Sequence, residues 1–236
     1  MDGDYTGDVE PLYSPPMAFD RGSEAWRLFR ILSEFADGFE TMEKVGPCVS
    51  IFGSTRTKRS HPYYKQAEKL SFLLGKAGFN VITGAGPGIM EAANKGAKKA
   101  GVRSIGLNID IPMEQEANPY VTQLLRFHYF FCRKVMFIKY TSAVIIFPGG
   151  FGTMDEFMEI VTLIQTRKAK PIPVICVGTK YWAGYMKWLR DTMCEHGAIN
   201  KAELKLFDVT DDLDGIVKRL KDRKVSYSIL EYSENR

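Results

Sequence analysis

The chain has 236 residues, 32 Lys and Arg against 28 Asp and Glu, a formal net charge of +4, 45% apolar residues and 25% charged ones. That apolar share excludes a disordered chain, and the longest apolar runs, Ser142–Phe147 and Val174–Val177, are strand-sized, short of the roughly 18 residues a membrane helix needs. A charge of +4 is too weak to indicate a nucleic-acid partner, and at about 150 residues per domain the length admits one large domain or two small ones.

The charge is uneven. Residues 1–21 hold Asp2, Asp4, Asp8, Glu10 and Asp20 against Arg21, a net of −4, which leaves +8 on residues 22–236. A mildly basic body suits an anionic small molecule, and solvated Lys and Arg account for it equally well. Gly3, Gly7, Pro11, Pro15 and Pro16 mark residues 1–21 as a flexible acidic arm, with acidic groups where a signal peptide carries Lys or Arg. Cys48, Cys132 and Cys176 stand in apolar or aromatic surroundings, and none of the four cysteines shares a metal-ligand spacing. They read as free, buried thiols of a cytoplasmic protein. His61, His128 and His196 are scattered, so no zinc site is expected.

In chain order, Trp26, Phe29, Leu32, Phe35, Ala36 and Phe39 recur at helical spacing and predict a helix over 24–40. Residues 47–53 form a short apolar run ending in Gly53, a buried strand. A helix follows over 61–78 with Ser60 as N-cap and Gly78 as stop. Residues 79–84 predict the second strand, 87–100 a helix opened by Pro87 and closed by Gly101, and 104–109 the third strand. The aromatic stretch 121–131 reads as a strand, 133–140 as a short helix, 142–147 as an almost wholly apolar strand and 152–166 as a helix. Strand 171–177, helix 181–195, strand 204–209 and helix 211–221 complete the set. Apolar strands alternating with helices call for a parallel sheet covered on both faces, a doubly wound α/β fold. No composition break divides it, so one domain is expected over 22–225, with a polar tail over 226–236.

In such sheets ligands bind beyond the carboxyl ends of the strands, where strand order reverses. Three of these ends carry glycine turns. Gly53-Ser54-Thr55-Arg56 offers two hydroxyls and a guanidinium, or simply a turn with helix caps. Gly84-Ala85-Gly86-Pro87-Gly88-Ile89-Met90-Glu91 resembles a dinucleotide fingerprint but has Ile89 where the third glycine belongs, and the Walker pattern is absent, so neither NAD nor a P-loop is supported. Its glycines still let N–H groups approach an anion at a helix N-terminus, while Glu91 in the first turn also serves as an ordinary helix-stabilising charge. The third turn, Pro148-Gly149-Gly150-Phe151-Gly152-Thr153-Met154-Asp155-Glu156, places three glycines between an apolar strand and a helix. Thr153 and Glu156 fit a capping box, but a capping box does not require Gly149, Gly150 and Gly152. The glycines predict an oxyanion cradle with Glu156 one turn below it. Upstream, Arg133-Lys134 reads as a solvated helix start or, if the helix faces the sheet's carboxyl edge, Arg133 reads as a phosphate fork. His128 reads as a strand residue, and Asp155, next to Glu156 but on another helix face, as structural.

Arg133-Lys134 followed by Pro148-Gly-Gly-Phe-Gly-Thr-Met-Asp-Glu156 resembles the RK…PGGxGTxxE signature of the "Lonely Guy" (LOG) proteins, cytokinin riboside 5′-monophosphate phosphoribohydrolases often labelled lysine decarboxylases. The Gly84–Glu91 turn with Ala93-Asn94-Lys95-Gly96, and Gly53-Ser54-Thr55-Arg56, resemble further segments of that family, and the similarity spans about residues 46–190. The resemblance implies a Rossmann-like fold and hydrolysis of the N-glycosidic bond of a nucleoside 5′-monophosphate to free base and ribose 5-phosphate. It implies Arg133 and Glu156 as the catalytic pair. Gly53, Ser54, Arg56, Gly84, Gly86, Gly88, Glu91, Lys134, Gly149, Gly150, Gly152 and Thr153 are then the expected substrate and phosphate contacts. No metal or organic cofactor and no membrane partner are expected, and a homodimer or an assembly of dimers is. Ala85 departs from the family's run of glycines. The alternatives are a non-catalytic nucleotide or molybdenum-cofactor carrier of the same fold and, last, a lysine decarboxylase, which requires a Schiff-base lysine.

Overall fold

The computed structural model describes residues 21–110 and 116–222; residues 1–20 of the expected arm and the tail over 226–236 lie outside them, while Arg21, read as the arm's last residue, opens the first helix. Seven parallel strands form one sheet: β1 (Cys48–Phe52), β2 (Asn80–Thr83), β3 (Ser104–Ile109), β4 (Gln123–Phe127), β5 (Ala143–Ile146), β6 (Val174–Val177) and β7 (Asp208–Thr210), in the order β4-β3-β2-β1-β5-β6-β7. The chain therefore builds outward from β1 to β4 and then returns to lay β5 against the other side of β1. Strand order reverses between β1 and β5, where Val49 pairs Ala143 and Phe52 pairs Ile146.

Side chains alternate across the strands, so the central strands β1, β2, β5 and β6 each feed two cores. Val49, Ile51, Val81, Ala143, Ile145, Ile175 and Val177 join the core under α2 (Pro62–Lys76), α3 (Ile89–Ala100) and α7 (Leu213–Asp222). Cys48, Phe52, Ile82, Leu107, Val144, Ile146 and Cys176 join the other, under α1 (Arg21–Glu43), α4 (Phe130–Lys139), α5 (Phe151–Gln165) and α6 (Thr179–Trp188). Burial on both faces explains strands without polar alternation, and each fully buried Ile or Val contributes roughly 1.5–3 kcal/mol of transfer free energy. Cys48, Cys132 and Cys176 are free and buried in these layers. Burial pushes the Cys48 thiol up to about 12.

Several boundaries differ from the sequence reading. His61, not Ser60, caps α2: its Nδ1 accepts the Tyr63 N–H at 3.1 Å, and Pro62 fills the first position. Helix α3 starts at Ile89 rather than at 87, because Gly88 at φ +67° turns the chain first. The last strand is displaced from 204–209 to Asp208–Thr210. The preceding Glu203–Lys205 winds into a 3-10 turn, and only residues from Asp208 onward find β6 partners, Ile175 facing Asp208. The helix expected over 181–195 is α6 plus a wider π-helical segment, Leu189–Cys194. Arg133 falls inside α4 rather than at its start, since Phe130 and Phe131 are helical.

Candidate active site

The three glycine turns meet at the carboxyl edge of the sheet and are bound to one another. Phe147 N–H donates to the Phe52 carbonyl (2.8 Å) and Ser54 N–H to the Pro148 carbonyl (3.0 Å), which extends the β1–β5 pairing past the strands. Ile89 N–H donates in turn to the Ser54 carbonyl (3.1 Å). At Gly88 a Cβ would lie 2.3 Å from that carbonyl, and with φ +67° only glycine fits. The Gly84–Gly86 turn is held from behind by a buried amide, Asn118, whose Nδ2 donates to the Ala85 and Gly86 carbonyls and to Asn94 Oδ1 (2.8–3.0 Å). Ala85 there has φ +64° and no exposed surface.

Between the turns lies a cleft of about 840 Å³. Gly53, Ser54 and Arg56 line one wall; Gly149, Gly150, Gly152 and Thr153 line another; Gly84, Arg133 and Glu156 close its depth. Phe52, Met90, Phe137, Met154 and Tyr181 add apolar and aromatic surface. Gly150 caps α5 without a side-chain bond; its carbonyl accepts the Thr153 and Met154 N–H groups (3.1 and 3.0 Å), while Phe151 and Gly152, at the first two helical positions where N–H groups lack an i−4 partner, line the cleft. Here the capping box fails. Thr153 is the third residue of α5 and packs under Gly149, where a Cβ would lie 2.1 Å from its Oγ1. Glu156, a full turn in, caps nothing.

Arg133 and Glu156 face each other from α4 and α5, with Nη2 3.6 Å from Oε1 and side chains only 13% and 7% exposed. Arg133 Nε and Glu156 Oε1 are buried without a hydrogen-bond partner. Such orphaned atoms are costly, by about 1–3 kcal/mol each or more when charged. Burial pushes the Glu156 carboxyl up to about 7, against the opposing pull of Lys134 and Arg133. Burial likewise pushes the Arg133 guanidinium down, against Glu156 and Asp155. Its Cζ lies over the Phe130 ring (5.0 Å from the centroid) and the Phe137 ring (5.9 Å), cation–π contacts that restrict its direction.

Four expected contacts do not line the cleft. Gly86 and Gly88 shape their turn. Glu91 is taken up by Tyr64 Oη (2.8 Å) and by Arg59 Nε (2.8 Å) and Nη2 (2.7 Å), tying the β1–α2 loop to α3. Lys134 stays out of the cleft and bridges Asp155 (2.8 Å) and Glu159 (2.9 Å), holding α4 and α5 together. Asp155 thereby has the structural role expected of it. His128 lies just past β4, exposed. Tyr181, read from the sequence only as the start of a helix, lines the cleft and donates to the Gly149 carbonyl at 2.7 Å. Its one sequence signal is its place in the first turn after the carboxyl end of β6. Among the described residues no group of three or more His, Cys, Asp or Glu is placed to hold a metal ion, and no helix is long and apolar enough to cross a membrane.

A doubly wound parallel sheet with glycine turns and a buried Arg–Glu pair lining a cleft at its switch point defines a Rossmann-like α/β protein. The model of the family described as possible lysine decarboxylase matches residues 90–220. The chain belongs to that family, the one to which the LOG proteins belong and to which the RK…PGGxGTxxE residues pointed. Over 168 residues it is 29% identical to the pyrimidine/purine nucleotide 5′-monophosphate nucleosidase of Escherichia coli (strain K12), a match covering 67% of this chain and 37% of that protein. The chain thus spans little more than a third of the length of the curated relatives it matches. The fold is shared with the molybdenum cofactor binding protein of Rippkaea orientalis (TM-score 0.53, 18% identity, 75% of this chain and 94% of that one). It is shared too with the molybdenum cofactor carrier protein of Chlamydomonas reinhardtii (TM-score 0.51, 22% identity, 75% and 96%).

Proposed function

We propose that this chain hydrolyses the N-glycosidic bond of nucleoside 5′-monophosphates, giving free base and ribose 5-phosphate. The observation that carries this reading is the buried Arg133–Glu156 pair with an unpartnered atom on each side, set under a glycine cradle. The 29% identity to a nucleotide 5′-monophosphate nucleosidase supports it. Arg133 and the first-turn N–H groups of α5 would hold the 5′-phosphate, a remote group whose binding energy positions the reacting carbon. Arg56, exposed at the cleft mouth, adds a second positive charge. The C1′–N bond breaks with its electron pair passing to the base nitrogen, a water oxygen bonds to C1′, and one water proton ends on the base. The sugar passes through an oxocarbenium-like state, which an ionised Glu156 beside the ribose stabilises while orienting the water. Phe52, Phe137 and Met90 offer apolar surface for the base.

The family's descriptive label is not followed by the cleft: among the described residues no lysine lines it, and a pyridoxal-type decarboxylase needs one. A homodimer fits the surface beside the cleft, where Phe151 is 96% exposed over a groove with Met154 and Met158. The buried free thiols fit a reducing compartment. The deciding experiment is chromatography of the full chain incubated with AMP, other purine and pyrimidine monophosphates and an N6-substituted AMP. Release of base and ribose 5-phosphate is expected, lost in Glu156→Ala. No base from any monophosphate, with a pterin or nucleotide co-purifying instead, would overturn the reading in favour of a carrier.

A further inference from the structure

The helix that carries Arg133 begins without a cap of its own: Tyr129, at the N-cap of α4, makes no side-chain bond to it. The acceptor comes from α1. Glu34 Oε1 accepts the His128 N–H at 2.8 Å and Glu34 Oε2 accepts the Tyr129 N–H at 3.2 Å. In a capping box a carboxylate three residues into the same helix reaches back to the N-cap N–H; here a different helix supplies it, some 95 residues earlier in the chain. The Cys132 thiol, in the first turn of α4, is pushed up to about 12 by burial and then by the charge and hydrogen bond of Glu34, so it stays protonated against the same carboxylate. One turn along, a Cβ on Gly38 would lie 2.8 Å from Met136 Sδ, so α1 and α4 touch there through a glycine. At the far end Tyr140 Oη donates to the Phe39 carbonyl at 3.4 Å. Helix α1 thus grips α4 at its start, middle and end. Arg133 sits in the first bonded turn, its N–H on the Tyr129 carbonyl (3.3 Å), and α1 lies wholly outside the segment the family model matches.

We propose that Glu34 is a positioning residue, fixing the start of α4 and through it the aim of Arg133 into the cleft. The proposal rests on the nucleotide reading for its ligand but not for its structural readout. The direction of a stacked guanidinium follows its helix, and a displacement of about 1 Å in a positioned group is enough to change rates a hundredfold.

The test uses the full chain, with AMP affinity by calorimetry and amide hydrogen exchange over residues 128–133. Glu34→Ala is expected to weaken AMP binding roughly tenfold, the equivalent of one lost cap, and to speed exchange at these amides. Glu34→Gln, which keeps one acceptor oxygen of the two, should recover part of both. In an Arg133→Ala background, Glu34→Ala should have no further effect on affinity. Equal weakening in both backgrounds, or no change in either, overturns the proposal, since a role in general stability does not act through Arg133. Should Glu34→Ala not fold, Glu34→Gln carries the same comparison with a smaller effect. If the wild-type chain binds no AMP, the nucleotide reading falls by itself, and exchange decides: faster exchange at 128–133 supports the positioning role, and unchanged exchange overturns it.

Discussion

Glu156 gives the sharpest physical test because its environment acts on stability as well as on chemistry. Burial raises its carboxyl from the usual 4.5 to about 7, so the folded protein holds this proton more tightly than the unfolded chain does. The stability it contributes is therefore fully present below about pH 4.5 and is lost as pH rises through 7. At 1.36 kcal/mol per pH unit the whole loss is about 3 kcal/mol, of which roughly 2–3 kcal/mol falls between pH 5 and pH 8. Glu156→Gln replaces the protonated form with a neutral group of the same shape and removes this dependence. Any constant offset, such as the altered contact with Arg133, cancels when the variant is compared with wild type at both pH values. The variant should therefore gain on wild type by that amount between pH 5 and pH 8, about 4–12 °C in melting midpoint for a domain of this size. Thermal or urea denaturation of both proteins at the two pH values measures it. A difference that stays flat from pH 5 to pH 8 would mean a solvated carboxyl near 4.5, and the argument that burial governs this group would be wrong.

The same variant should lose at least a hundredfold in base release, the scale of a removed acid–base group, and wild-type turnover should rise through pH 7 as the carboxylate forms. Arg133→Lys keeps a charge but not the planar fork; kcat/KM for AMP should fall about a hundredfold with the circular dichroism unchanged, and an unaltered kcat/KM would remove Arg133 from the site. Gly149→Ala drives a Cβ to 2.1 Å from Thr153 Oγ1 and 2.5 Å from its Cβ, an overpacking worth about 1–3 kcal/mol in a denaturant midpoint. Gly150→Ala meets nothing within 4 Å and should leave stability within about 0.5 kcal/mol, while weakening ligand binding if phosphate approaches that backbone. Ala85→Gly frees a residue at φ +64°; relief of about 1–2 kcal/mol of left-handed strain, less the greater entropy lost by glycine on folding, leaves a gain of up to about 1 kcal/mol, and a loss of stability would show that the Ala85 methyl packs better than its backbone is strained.

The family signature was legible because it combines residue types that local structure does not need together: three glycines in four positions, then a carboxylate at helical spacing. The alternation of apolar strands and helices likewise determined a parallel sheet with two covered faces. The residue pattern could not decide between a capping role and a buried role for Glu156. That depends on where α5 begins, and α5 begins at Phe151 because Gly150 turns the chain and Thr153 packs beneath Gly149. Nor could it show that Lys134, expected as a further contact, would leave the cleft to Arg133. The two differ by one position, about 100° around α4, which sends Arg133 to the cleft and Lys134 to Asp155 and Glu159. Glu91 matched a binding turn by position but is consumed by Arg59 and Tyr64, partners brought to it from across the β1–α2 loop.

The sequence by itself determined the layered α/β class and the three glycine turns, since these follow from local periodicity and from glycine's backbone freedom. Only the tertiary structure decided which of them share one cleft. Strand order, with β1 between β2 and β5, brings turns some 95 residues apart into hydrogen-bond contact. Burial, a property of everything packed around a group, raised the Glu156 carboxyl to about 7 and left one atom of each member of the pair without a partner.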